Sequence, residues 1–125
     1  MEEPAMKDMS LTAMVDSFLI YLQTEKNMSE KTIRSYNSDW QDFFSFLETQ
    51  LKLDLASFAV SDINHGLVRS YLAHLNSRGL SKTTAARRLA ALKSFCRYLV
   101  KKGYSEQNPL ALVATPKIPK RLPRY

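Results

Sequence analysis

Four times along this chain, apolar residues recur at i, i+3, i+4 and i+7 shortly after a serine or an asparagine. That spacing gathers apolar groups on one side of a helix, whereas a strand alternates with period two. Ser and Asn are strong N-caps because a side-chain oxygen accepts from an otherwise unpaired amide of the first turn. Ser10 precedes Leu11, Met14, Val15, Phe18, Leu19 and Leu22. Ser29 precedes Ile33, Tyr36, Trp40, Phe43, Phe44 and Leu47. Asn64 precedes Leu67, Val68, Tyr71, Leu72 and Leu75, and Ser81 precedes Ala85, Leu89, Leu92, Phe95, Cys96 and Leu99. The spacing predicts helices over about 11–25, 30–49, 65–77 and 82–102. Gly79 and Gly103 stand where a helix C-terminus favours a left-handed residue.

Joined by short turns, such helices bury their stripes against one another, so the expected fold class is an all-α four-helix bundle. A length of 125 residues suits one compact domain, and 45% hydrophobic content suffices for a core. The aromatics of 33–47 keep helical spacing and are assigned to that core, not to base stacking. Residues 50–61 alternate at Leu51, Leu53 and Leu55, which hints at a strand. A lone strand has no partner, so a loop with one helical turn, packed by Leu55 and Phe58, is expected. Asn108-Pro109 ends any short helix near 105–108.

Residues 1–10 are read as a tail and 11–113 as the folded unit. The segment ATPKIPKRLPRY (114–125) holds three prolines, four basic residues and no acid. It is read as an extended interdomain linker. No apolar run reaches the ~18 residues of a membrane span, and the N-terminus lacks the apolar stretch of a secretion signal. The single cysteine, Cys96, excludes an internal disulfide framework. A cytoplasmic setting, no cofactor, no metal and no membrane partner are expected.

Charge is distributed unevenly. Residues 1–62 carry 5 basic and 11 acidic side chains, while 63–125 carry 13 basic and 1 acidic, so balances of −6 and +12 make up the net +6. Such asymmetry points to a polyanion against one side of the fold. Within GLSKTTAARRLAALKSFCRYLVKKG (79–103), seven positions are Lys or Arg and none is acidic. On a wheel of 100° per residue, Arg87, Lys93, Arg97 and Lys101 share one face with Thr83, Ala86, Ala90 and Ser94. A solvated helix usually interleaves Glu with Lys for i,i+4 pairs worth about 0.2–0.5 kcal/mol each. Their absence, with small residues between the cations, suits close approach to phosphates, and Thr83 and Arg87 are placed to reach base edges. Arg88 falls at the border of the apolar face, where anchoring the helix and touching DNA are equally open. Lys31, Thr32, Arg34, Ser35 and Ser38 form a second polar set on the N-terminal half of the 30–49 helix. There the unpaired amides favour phosphate, although a capped, solvated first turn has the same spacing.

SEKTIRSYNSDWQDFFSFL, the basic run at 79–103, then NPL and the proline-rich linker together resemble the N-terminal core-binding domain of tyrosine recombinases, on the Xer-type branch of the phage integrase family. The similarity extends from about Leu11 to Tyr125. It implies a SAM-like four-helix fold whose second and fourth helices lie against the major groove of double-stranded DNA. It also implies a C-terminal catalytic domain of the same polypeptide, reached through the linker, and other recombinase protomers on the DNA. Carried over residue by residue, it nominates Thr32, Arg34, Ser35 and Ser38, and Lys82, Thr83 and Arg87. Lys31, Arg88, Lys93 and Arg97 complete the candidate set on the helices, and Lys117, Lys120 and Arg121 add to it from the linker.

The family's chemistry uses a tyrosine nucleophile and a His-x-x-Arg element. His65 and His74 each have an arginine four residues on (Arg69, Arg78), so neither fits. Tyr125 has no catalytic constellation around it, so no catalytic residue is assigned. Two other readings remain: a stand-alone helical DNA-binding or regulatory module, and an interaction domain that meets an acidic protein.

Overall fold

A computed structural model of the chain describes residues 10–111, 113 and 114. It contains four helices, α1 (Leu11–Thr24), α2 (Glu30–Thr49), α3 (His65–Ser77) and α4 (Lys82–Lys101). Two single 3-10 turns, Leu55–Ser57 and Val60–Asp62, connect α2 to α3. Residues 1–9 of the expected tail and 115–125 of the expected linker lie outside the described residues, as do Lys117, Lys120 and Arg121, while Ser10 belongs to the fold as the α1 cap.

Each α-helix begins at the residue that the sequence marks as its cap. The Ser10, Ser29, Asn64 and Ser81 side chains accept from the amides of Ala13, Thr32, Leu67 and Thr84. The caps of α2 and α4 share a further device. Ser29 Oγ donates to Thr32 Oγ1 at 2.9 Å, and Ser81 Oγ donates to Thr84 Oγ1 at 3.1 Å.

The C-termini of α3 and α4 are closed by one motif. Gly79 (φ 78°) and Gly103 (φ 76°) adopt left-handed conformations. The Gly79 amide donates to Asn76 O and the Leu80 amide to Leu75 O; the Gly103 amide donates to Val100 O and the Tyr104 amide to Leu99 O. This double closure satisfies the last carbonyls and turns Leu80 and Tyr104 back onto the core. α4 thus ends at Lys101, one residue earlier than expected.

α1 packs on α2 and α4, α2 on α4, and α3 on α4. The centre is aromatic. Trp40 meets Phe95 edge-on with ring centroids 5.0 Å apart, and Phe43 meets Tyr71 in the same way at 5.0 Å. Burial of each such ring contributes about 1.5–3 kcal/mol, and each edge-to-face pair about 0.5–1.5 kcal/mol more.

Local departures from expectation have physical causes. Ile33 and Tyr36 are half-buried, while Phe46 takes a core position against Tyr71 and His74. Ala86, placed by the wheel on the outward face, is buried, because a methyl side chain is covered wherever two helices approach. Leu51 and Leu53 are partly exposed and form no strand; the described residues contain one isolated bridge, Ser10 with Ala59. Residues 105–108 are irregular, with bends at 106 and 107, and form no helix; the chain turns at 109–111, and Leu110 and Val113 are buried against the bundle.

Candidate nucleic-acid interface

The two polar sets that lie about fifty residues apart in sequence meet on one surface. Lys31, Thr32, Ser35, Tyr36 and Asp39 from α2 line a shallow groove with Arg87, Ala90 and Ala91 from α4, with a volume of about 350 Å³. The packing of α2 on α4 explains the pairing: Asp39, midway along α2, lies beside Arg87 in the second turn of α4. Small residues of α4 form the floor, and Lys31 and Arg87 stand at the rim. The Thr32 hydroxyl accepts from Ser29 Oγ, which leaves its own hydrogen free to donate outward.

Arg34, Ser38, Lys82, Thr83 and Arg97 are exposed outside that groove. Lys93 is half-buried, and its ammonium donates to the carbonyl of Val113. It ties the end of the folded chain to α4 and so has less freedom than its wheel position implied.

The expectation of an unneutralised α4 needs correction. Arg87 Nη2 lies 3.0 Å from Asp39 Oδ1. Arg88 Nη1 lies 2.6 Å from Asp42 Oδ2, and Arg78 Nη1 lies 3.0 Å from Asp42 Oδ1. Lys102 pairs with Glu25 at 3.0 Å. Intrahelical i,i+4 pairs are absent, as the sequence indicated, but Glu25 at the C-cap of α1 and Asp39 and Asp42 of α2 supply the partners across the helix interfaces. The wheel sees one helix and cannot show a neighbour.

These pairs place the arginines differently. Arg87 has 57% of its side chain exposed over a carboxylate that is 7% exposed, so it is anchored at one edge and open at the other. Arg88 is 14% exposed, and Tyr71 Oη and Asp42 engage its guanidinium. For Arg88 the structure shows the anchoring contact: its guanidinium lies at a junction of α2, α3 and α4.

Asp39 and Asp42, one turn apart on α2, are tuned in opposite directions. Burial raises Asp39 above the usual carboxylate range, and the charges of Arg87 and Arg88 offset this only in part. Burial also pushes Asp42 upward, but hydrogen bonds from Tyr71 and Arg78 and the charge of Arg88 outweigh it, so its net pKa is lowered. Tyr71 Oη donates to Asp42 at 2.7 Å; burial and that bond raise the phenol's pKa well above its ordinary value.

Sequence reasoning missed Asp39 and Asp42. A signal for Asp39 was present, since it stands three residues after Tyr36 and four before Phe43, inside the apolar stripe. Cys96 is buried, and burial pushes its thiol up to about 12, so it behaves as a small apolar group. His74 lies against the ring of Phe46, and His65 is exposed at the start of α3. Among the described residues there is no cluster of His, Cys, Asp or Glu that could hold a metal ion, and no helix long and apolar enough to cross a membrane.

Comparison with known proteins follows the same lines. Residues 15–103 match the family described as phage integrase, N-terminal SAM-like domain. A tyrosine recombinase XerC of Pelotomaculum thermopropionicum is 44% identical over 111 residues, which cover 89% of this chain and 36% of that protein. The XerC of Chlorobaculum parvum is 38% identical over 112 residues (89% and 33%), and that of Pelobacter propionicus 36% over 113 residues (90% and 36%). The chain therefore spans about a third of the length of these relatives. No solved structure gives a significant match. The helical architecture and the matched span agree, and the chain belongs to the phage integrase N-terminal SAM-like domain family.

Proposed function

We propose that this chain is the DNA-binding arm of a site-specific tyrosine recombinase and that the α2–α4 groove faces the major groove of duplex DNA. One observation carries the proposal: the short polar and basic residues of α2 and Arg87 of α4 converge on one surface with an alanine floor. Small residues let backbones approach, and the rim cations suit phosphates. The relatives of similar sequence are named tyrosine recombinases and are about two and a half times as long. Strand cleavage and rejoining are accordingly assigned to a catalytic domain joined through the 114–125 linker, with other protomers assembled on the same DNA in the cytoplasm. No catalytic role is assigned to any of these 125 residues.

Fluorescence anisotropy with a labelled duplex, titrated against salt, tests this reading. With about five phosphates neutralised, log K falls against log salt with a slope near −4.5. A slope near zero would remove the DNA-binding role and leave the acidic-partner reading.

A further inference from the structure

A second hollow lies further along α4, beyond the α2–α4 groove. It is bounded by the end of α1 and the second half of α4 and measures about 390 Å³. Lys26, Arg97 and Lys101 line it, with Ser94 between the helices and Tyr21 and Tyr98 forming an aromatic wall. Among the described residues, no carboxylate pairs with any of these three cations. The nearby acid, Glu25, is engaged by Lys102.

The arrangement is ordered as well as positive. Lys101 Nζ donates to Tyr21 Oη at 3.1 Å and stands 5.6 Å from the centre of the Tyr21 ring. The hydrogen bond to Lys101 lowers the Tyr21 phenol pKa. Tyr21 in turn packs on Tyr98 with ring centroids 4.8 Å apart. The ammonium is therefore held in place by a hydroxyl whose ring is fixed in the core. Arg97 and Lys101 are i,i+4 neighbours of like charge, a spacing that destabilises a helix unless an anion lies between them.

We propose that this hollow seats a backbone phosphate of the bound DNA, with Lys26, which the sequence did not single out, and Lys101, which the wheel placed on the cationic face without nominating it, as contact residues and Arg97 beside them. The inference rests on the α2–α4 reading and adds a second anchoring point. From Arg87 to Lys101 is 14 residues, or roughly 21 Å of helix. A major groove is about 12 Å wide, so a helix that crosses it with Arg87 over the bases carries its far end to the groove wall, where the phosphates run. An anion seat at that end limits how the helix can tilt and slide.

The test uses the full chain and three variants: Lys26→Gln/Lys101→Gln, Arg97→Gln, and Arg69→Gln as a control that removes one charge from α3. All are first checked for unchanged thermal melting. The salt slope of duplex binding is expected to shrink by about 1 for each seat cation removed and to stay unchanged for Arg69→Gln. The double variant is expected to lose about tenfold in affinity at 0.1 M salt, equally on a recombination half-site and on random duplex, because phosphate contacts carry no sequence information. A steep wild-type slope that the double variant leaves intact overturns the seat and spares the α2–α4 reading. A flat wild-type slope overturns both. Competition with tripolyphosphate separates the sources: if it binds through Lys26 and Lys101 while duplex binding ignores them, the seat is for a free anion and the proposal fails.

Discussion

The Arg87 guanidinium lies 3.0 Å from the Asp39 carboxylate, which is 7% exposed on the neighbouring helix. On the proposed DNA-facing surface an acid is a local penalty, and here it holds one edge of Arg87 while the other edge remains open. Arg87→Ala is expected to lower discrimination between half-site and random duplex by ~1–3 kcal/mol if the open edge makes a bidentate base contact. Equal losses on both DNAs would make Arg87 a phosphate contact. Asp39→Asn is expected to bind random duplex more tightly, by a few-fold, and to discriminate about tenfold less, equivalent to about 1.4 kcal/mol. Because Asp39 has a raised pKa, acidification releases Arg87 in the wild type first. Random-duplex affinity should therefore rise as pH falls toward the carboxylate range, and Asp39→Asn should show none of that rise.

Asp42 acts on stability, with the opposite sign. Its folded pKa is below the unfolded value of about 3.9, so its contribution is present above that value and lost as pH falls through the folded one. Asp39 has a raised folded pKa, so its contribution is complete below the unfolded value and lost as pH rises through the folded one. Asp42→Asn removes the negative charge and one of the two oxygens shared by Tyr71, Arg78 and Arg88 and is expected to cost about 2–4 kcal/mol near neutral pH. Thermal melts from pH 3 to 7 check both signs. The gap between Asp42→Asn and wild type should narrow on acidification, and the balance between Asp39→Asn and wild type should move toward the variant as pH rises.

Most of the bundle is written in short-range signals. The caps at Ser10, Ser29, Asn64 and Ser81 and the glycines at 79 and 103 act within one turn, so helix limits follow from a few neighbours. The face of α4 was legible for the same reason. The fate of its charges was not: Asp39 and Arg87 are 48 residues apart, and Asp42 and Arg88 are 46 apart. Helix packing brings such pairs together, and a single-helix wheel holds no term for it. Lys26 escaped notice because it follows the α1 cap, outside the periodic segments, and becomes part of a cation cluster only when α1 lies on α4.

Trp40 tests the assignment of the aromatic stripe. Its side chain is 1% exposed, and its indole Nε1 has no hydrogen-bond partner. Trp40→Ala is expected to cost ~3–5 kcal/mol through the cavity left between Phe43, Phe44 and Phe95. Trp40→Phe should cost less than half of that, since it keeps a ring and removes a buried donor whose desolvation costs about 1–3 kcal/mol. Denaturant melts decide this. If Trp40→Ala kept its stability and lost DNA binding, the stripe would face the ligand and the interior would have to be reassigned.

Gly103 isolates a purely conformational effect. With φ at 76°, it holds a left-handed turn, and a Cβ built there meets no atom within 4 Å. Any loss on Gly103→Ala therefore reports backbone strain and not a clash. The left-handed region costs an L-residue about 1–2 kcal/mol, and Asn tolerates it better through local hydrogen bonding. Gly103→Ala should lower stability by about 1 kcal/mol and Gly103→Asn by about half as much. Because this turn carries Tyr104 onto Tyr98 at 6.0 Å, a much larger loss would mean that the turn has opened and the Tyr104 packing has gone with it. Equilibrium unfolding of the two variants beside Gly79→Ala, which has the same closure on α3, separates these outcomes. Matching costs at 79 and 103 assign the effect to the backbone, and an excess at 103 alone assigns it to the tyrosine pair.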